Sequence, residues 1–397
     1  MKIALAHRRL EFRGGTERVF YRTAQGLRDR GHEVHLFCQN FRIDPPAGVA
    51  AHRVPGLSWP RTARLVTFAW LAPSVIRRYN CDVVVSFDRL VRQDLFRSGG
   101  GPHKFFIDKM NQRGGRWKSL WYRLNPYHRL IFAIERRQAS SRGSRKIVVA
   151  SEQIKHEMIE AFGIAETKVV VIPNGVDHER FHPRLRLSSG ERIRRELGIG
   201  EDSRVVLFVG TGFRRKGLDR LLRLWQEPSL PNTYLLVVGN DSHLSVYRTA
   251  WRKNPYVVFT GPKSNVEEYY AAADLLALPS VQEAFGNVIL EALAAGLPVV
   301  TMPGVGASDK VEGDLRAGIL ENDDDPAELR RKILALLDPL RWPSLSQQAR
   351  RIAERYTWDA NLEKFEAVLL NLCDQANRES VAVSAAIPTF SGSHRNR

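Results

Sequence analysis

The chain is expected to be an α/β protein made of two doubly wound parallel sheets, one in each half. Two observations carry that expectation. Short apolar runs of strand length alternate with helical stretches over most of the 397 residues, the pattern of strands joined by crossover helices. The alternation is interrupted once, at Pro173-Asn174-Gly175, and then resumes as a second series. The length points to two domains, and 43% hydrophobic residues supply the cores.

The first series opens with Lys2–Ala6, a short apolar run read as a buried strand. Gly14-Gly15 forms a loop, Thr16 caps a helix that runs to Arg30, and Gly31 ends it. Glu33–Cys38, Asp82–Phe87 and Lys146–Ala150 read as further strands. Ser151-Glu152 opens another helix, and Lys168–Ile172 is the last strand of the series. In the second series the strands are Arg204–Val209, Tyr234–Val238, Tyr256–Thr260, Asp274–Leu278 and Pro298–Thr301. Helices fall near 217–226, 264–272, 286–295 and 326–337, and a final one runs from Trp358 to Gln375. The expected organisation is a first domain over 1–172, a polar linker over 173–203 and a second domain over 204–355. A C-terminal helix over 356–377 and a disordered tail over 378–397 follow, the tail being rich in Ser, Arg and small residues without periodicity. Ligands in such sheets sit at the carboxyl ends of the strands, which are expected to face a cleft between the domains.

The formal charge is +17, a balance that favours polyanionic partners: nucleic acid, anionic lipid or phosphorylated substrates. Cys38, Cys81 and Cys373 lie far apart in no metal-ligand spacing, as in a reduced cytosolic protein. The nearly apolar run Leu65–Ile76 is too short to span a bilayer, and the N-terminus reads as strand, not signal peptide. The protein is therefore expected to be soluble or held only at a membrane surface.

The most informative stretch is Glu283-Ala-Phe-Gly-Asn-Val-Ile-Leu-Glu291. A strand run precedes it, an apolar helical pattern starts near Gly286, and Gly296 with Pro298 stops that helix. The backbone N–H groups of Phe285, Gly286 and Asn287 are the first-turn donors. With the helix dipole they make an anion site, flanked by Glu283 and Glu291. Such a site suits a ligand that is part phosphate and part polyol, and a nucleotide sugar is one. The plain alternative is a capping carboxylate and a solvated face, but Glu291 lies in an apolar stretch where a carboxylate needs a partner.

Val209-Gly-Thr-Gly-Phe-Arg-Arg-Lys-Gly217 also links a strand to a helix. Its third glycine is misplaced for a dinucleotide fingerprint. It reads either as a solvated basic turn or as a loop holding a diphosphate, with Arg215 bidentate and Lys216 as a point charge. Gly14-Gly15 allows close backbone approach or simply makes a turn. Asp323-Asp324-Asp325-Pro326 reads as a helix start, with proline at the first position, in preference to a metal cluster; no metal site is expected. From His103 to Lys146 there are twelve cations and two acids, interleaved with Trp117, Trp121, Tyr122 and other aromatics. That segment reads as a surface for anionic membrane, as a helix with aromatics facing the core, or as a nucleic-acid surface.

These motifs together resemble the retaining glycosyltransferases of family 4, with the GT-B fold, over nearly the whole chain. The marks are Gly14-Gly-Thr-Glu-Arg18, Arg30-Gly-His-Glu-Val34, Val171-Ile-Pro-Asn-Gly-Val-Asp177, Gly212–Gly217 and Glu283-x7-Glu291 running on to Val299. Within the family the chain is most similar in type to lipopolysaccharide core glucosyltransferases. The resemblance implies two Rossmann-like domains, with the C-terminal helix crossing back to the first. It implies that Arg215 and Lys216 hold the donor diphosphate, that Glu283 contacts the transferred sugar and Glu291 the ribose, and that backbone at Phe285, Gly286 and Asn287 touches the donor. Gly15 then approaches the diphosphate from the N-terminal domain, and His103, after Gly99-Gly-Gly101-Pro102, is the candidate catalytic histidine beside Glu283. It further implies metal-independent, front-face transfer of glucose from UDP-glucose to a lipid-linked saccharide at the cytoplasmic membrane face, with no cofactor and no nucleic acid. The rival readings are a nucleotide-sugar epimerase of the same fold and a non-enzymatic basic adaptor.

Overall fold

The structure is a computed structural model that describes residues 1–12, 14–111, 125–226, 230–280, 283–321 and 325–385, with backbone only for 109–111, 377 and 379–385. It divides into two compact units. Unit 1 comprises Met1–Arg97, Ile134–Ile147 and the chain from Leu362; unit 2 comprises Ser98–Ala133 and Val148–Asn361.

The first sheet is built from β1 (Lys2–Ala6), β3 (Glu33–Cys38), β5 (Ala50–Arg53), β6 (Val83–Ser86), β7 (Leu95–Arg97) and β8 (Lys146–Val149), with β9 (Val169–Val171) after it; β2 (Arg9–Leu10) and β4 (Asn40–Phe41) form a separate pair. The order is β5-β3-β1-β6-β7-β8-β9. The registers of β1 with β3 and β6, of β3 with β5 and of β6 with β7 are parallel. The second sheet uses β10 (Arg204–Thr211), β11 (Thr233–Asn240), β12 (Val257–Gly261), β13 (Leu275–Leu278) and β14 (Val299–Thr301). Its order is β12-β11-β10-β13-β14, parallel throughout. Each sheet therefore reverses direction of growth beside its first strand, at β1/β6 and at β10/β13. Every residue of β13 is buried, as expected of a strand covered by helices on both faces.

Most elements fall within a residue or two of their expected limits. The first helix begins one residue earlier than Thr16: it runs Gly15–Asp29 with Gly14, in extended backbone, at the N-cap. Ser151 caps Glu152–Phe162 by accepting from the Ile154 N–H. Asp325 accepts from Ala327 N–H, with Pro326 at the first position of its helix; Asp323 and Asp324 lie outside the described residues.

Four stretches differ from expectation. Residues 173–203, read as a linker, fold into unit 2 with a short 3₁₀ turn at Pro183–Leu187 and a helix at Ser189–Glu196. Arg186 and Arg194 from this stretch grip the fully buried carboxylate of Asp274, Arg194 at 2.7 Å. Asp274 also accepts the Val205 N–H at 2.8 Å. The charge that made the stretch look solvated is directed at one buried carboxylate, which needs such partners where water cannot reach it. Residues 98–133 and 148–172 likewise group with unit 2 and not with the first 97 residues. Here Ser151 Oγ donates to Ala284 O at 3.0 Å, which ties the helix it caps to the second sheet's loops. Lastly, the C-terminal helix runs Trp358–Ala385, past Gln375 and into the expected tail. No Gly or Pro interrupts 376–385, and three alanines favour its continuation. Its residues from Leu362 belong to unit 1, as a helix crossing back requires. There Leu362 lies against Gly26, and Glu366 pairs with Arg30 at 2.8 Å and His32 at 2.6 Å.

Candidate functional site

The reversal between β10 and β13 leaves two loops side by side at the carboxyl edge of the second sheet, the position where doubly wound sheets hold ligands. Residues 212–217 follow β10, and the Glu283 loop follows β13. The two are braced by backbone contacts. Arg220 donates to Pro279 O at 3.0 Å, and Ser280 Oγ donates to Arg215 O at 3.3 Å. Gly217 has φ +83°, and a Cβ there would lie 2.0 Å from Pro279 O. Only glycine meets both the backbone angle and the space. Asp241, just after β11, accepts the Phe213 N–H at 2.8 Å and so fixes the start of the basic loop.

On this frame the basic loop meets the first glutamate. Glu283 Oε2 lies 2.9 Å from Arg215 and 3.2 Å from Lys216 Nζ. Lys216 is buried, its stem running along Gly210. Burial pushes the Glu283 carboxyl up, but the charges and hydrogen bonds of Lys216 and Arg215 outweigh it and hold the group below the usual carboxylate range. Glu283 is thus an anion at neutral pH, paired with both cations of the basic loop. Gly306 N–H donates to Glu283 O at 3.1 Å and Ala307 N–H to Phe285 O at 2.7 Å, strapping this loop to the one after β14.

The helix Asn287–Ala294 starts immediately afterwards, with Gly286 at its N-cap in left-handed backbone. Among the described residues no side chain caps this end. Ile289 N–H is already taken by Gly286 O at 2.9 Å. The partner that an apolar surround demands of Glu291 is Tyr270, whose hydroxyl donates to it at 2.7 Å. Asn287 accepts from Asn174 Nδ2 at 2.7 Å.

Of the candidate residues, Arg215, Lys216 and Glu283 are in direct contact, and Phe285, Gly286, Asn287 and Glu291 continue from them along one loop and helix. Gly15 opens a helix in unit 1. His103 is the first residue of the helix His103–Asn111 in unit 2. Its Nε2 lies 2.8 Å from His128 Nδ1, with the rings of Phe106 and Phe132 beside it. Asn174, Tyr270, Asp241 and Ser151 support the site and escape sequence reasoning: each is an ordinary turn, helix or cap residue until the fold brings it to its partner. The Asn174-Gly175 turn was the one visible signal. Much of the basic aromatic segment, residues 112–124, lies outside the described residues. Among the described residues no cluster of three or more His, Cys, Asp or Glu is arranged to hold a metal ion, and no helix is long and apolar enough to cross a membrane.

Two Rossmann-like parallel sheets, one with a basic loop and a glutamate-flanked helix start at its switch point, define an architecture of the GT-B class. Comparison with known proteins gives the family. A model described as Glycosyltransferase Family 4 matches residues 13–180, and one described as Glycosyl transferases group 1 matches 189–355. The lipopolysaccharide glucosyltransferase WaaG of Escherichia coli (strain K12) is 30% identical over 297 residues, 72% of this chain and 76% of that protein. The crystal structure of WaaG, a glycosyltransferase involved in lipopolysaccharide biosynthesis, superposes with TM-score 0.78 at 25% identity, covering 92% of this chain and 99% of that one. Anabaena HepE in complex with UDP-glucose shares the fold, with TM-score 0.70 at 20% identity over 94% and 100% of the two chains. The chain belongs to the family 4/group 1 glycosyltransferases and is a glycosyltransferase of the GT-B type.

Proposed function

We propose that this protein transfers glucose from UDP-glucose to a lipid-linked saccharide of the lipopolysaccharide-core kind, with retention at the anomeric carbon and without a metal. The observation that carries the reading is the meeting of Arg215, Lys216 and Glu283 at the β10/β13 switch point, one short loop before a helix N-terminus. Breaking the sugar–phosphate bond leaves charge on the diphosphate. Arg215, Lys216 and the N–H groups at Gly286 and Asn287 neutralise it, the service a metal gives elsewhere. As the diphosphate draws the two cations, Glu283 is released toward the sugar hydroxyls, and Glu291, oriented by Tyr270, takes the ribose. Gly15 approaches the diphosphate and His103 the sugar. The leaving phosphate takes the acceptor proton, so that attack and departure share one face. The similarity to a lipopolysaccharide glucosyltransferase and the fold shared with a protein solved with UDP-glucose support the choice of donor and acceptor. The +17 charge supports peripheral attachment to the inner face of the cytoplasmic membrane, with residues 103–146 as one contact.

The test is slow donor hydrolysis by the purified protein with a panel of UDP-, GDP- and ADP-sugars, with and without EDTA. UDP-glucose is expected to be consumed at a rate EDTA does not change. Consumption of a different sugar reassigns the donor, and no consumption of any removes the donor site. With a saccharide acceptor added, NMR of the product is expected to show the α-linkage kept.

A further inference from the structure

The loop between β5 and the helix Arg61–Arg77, in unit 1, exposes large apolar side chains that no part of the donor chemistry uses. Trp59 is 83% exposed and Leu57 56%, and Trp70 and Leu71 on the helix are exposed as well. They belong to one patch. The Leu57 N–H donates to Thr67 Oγ1 at 3.2 Å, so the loop lies on the second turn of the helix. Trp70 and Leu71 stand three and four residues beyond Thr67, on its face one turn further along. Trp59 sits just before Pro60, the N-cap of the same helix.

The segment that carries the patch has formal charge of one sign. From Pro45 to Cys81 the chain has five arginines and no acid or lysine. Arg53 and Arg61, on either side of the exposed loop, are themselves exposed. A protein partner of the usual mixed charge would leave these arginines unmatched. An apolar tip of Trp and Leu flanked by exposed Arg53 and Arg61, on a segment that carries no carboxylate, matches an anionic bilayer, where indole rings lie at the head groups and cations face phosphates.

We infer that Leu57, Trp59, Trp70 and Leu71 dock on an anionic membrane, so that unit 1 carries a lipid contact of its own, separate from residues 103–146. The inference extends the membrane part of the proposed function but does not need its donor or acceptor to be right. Co-sedimentation of the full chain with vesicles of phosphatidylcholine and 30% phosphatidylglycerol, in the absence of donor and acceptor, tests it. The variants are Leu57→Ser with Trp59→Ser, and separately Arg53→Glu with Arg61→Glu. Both pairs are exposed, and thermal midpoints and donor hydrolysis are expected to match the wild type. The first pair is expected to weaken binding about tenfold or more through lost insertion. The second is expected to weaken it about tenfold and to flatten its salt dependence. Wild-type binding by either pair of variants, or binding that is equal on pure phosphatidylcholine, overturns the proposal. So does loss of self-association in the Leu57→Ser/Trp59→Ser protein in place of lost vesicle binding, which would make the patch a contact between copies. Failure of donor hydrolysis with vesicle binding intact would count against the donor reading and leave this one standing.

Discussion

The two switch points carry the same two charges and use them differently. In unit 1 the cation Arg8 stands two residues past the end of β1, and the acid Asp88 two residues past the end of β6. In unit 2 Lys216 stands five residues past β10 and Glu283 five past β13. Two residues are too few to leave the sheet edge. Arg8 and Asp88 therefore meet at 2.5 Å with Asp88 buried, its other oxygen takes the Arg89 N–H at 2.8 Å, and Gln138 donates to its backbone carbonyl at 3.0 Å. Burial pushes Asp88 up, and the charges of Arg8 and His7 with hydrogen bonds outweigh it, bringing it down to about 2. Five residues carry the other pair out onto glycine-bearing loops. There Glu283 remains about one-fifth exposed and shares two cations. The lesson is that loop length decides whether the ion pair at a switch point is held buried at the sheet edge or carried out onto partly exposed loops.

The contrast is broken most sharply by function. Lys216→Ala and Arg215→Ala are each expected to lower kcat for donor hydrolysis about 10²–10³-fold, with thermal midpoints within a few degrees of wild type. Asp88→Ala is expected to leave that rate near wild type. Comparable losses at the two switch points would show that both handle substrate. The next effect is on stability. Asp88→Ala leaves Arg8 without its carboxylate and is expected to cost about 3 kcal/mol, read from the urea midpoint, whereas Lys216→Ala, which leaves Glu283 still paired with Arg215, should cost less. Acid sharpens the same point. Asp88 has its pKa depressed on folding, so its contribution is complete above the unfolded carboxylate value near 4 and is lost as pH falls toward about 2. Roughly 2 kcal/mol should disappear over that window, and Asp88→Asn should flatten the stability–pH curve there. The smallest effect is expected from Tyr270→Phe. Removing the hydroxyl that holds Glu291 should cost about 1 kcal/mol of donor affinity, seen as a raised KM with little change in kcat.

Sequence periodicity alone yielded every strand of the second sheet and the main strands of the first, because buried parallel strands are short apolar runs and glycine or proline marks their ends; the strands Ala50–Arg53 and Leu95–Arg97 and the helices Arg61–Arg77, Pro126–Ala139, Leu244–Trp251 and Trp342–Glu354 were not read from it. It was weakest where charge is buried. Arg186 and Arg194 read as the solvated residues of a linker, since their partner Asp274 lies some eighty residues away. The continuation of the last helix to Ala385 was also missed, because small residues without an apolar stripe resemble a tail even when they favour helix.

For the site, the residues themselves determined a good deal. The Glu283-x7-Glu291 spacing placed one acid in a loop and the other a turn inside a helix, and Gly212–Gly217 supplied a basic loop at a strand end. Both follow from local rules of turns and helix starts, which act over a few residues. Only the tertiary structure decided the pairing across 68 positions that sets Arg215 on Glu283, and across 21 that sets Tyr270 on Glu291. Those contacts depend on which strands lie side by side, and strand order is fixed by packing of the whole sheet, information that no local stretch of sequence contains.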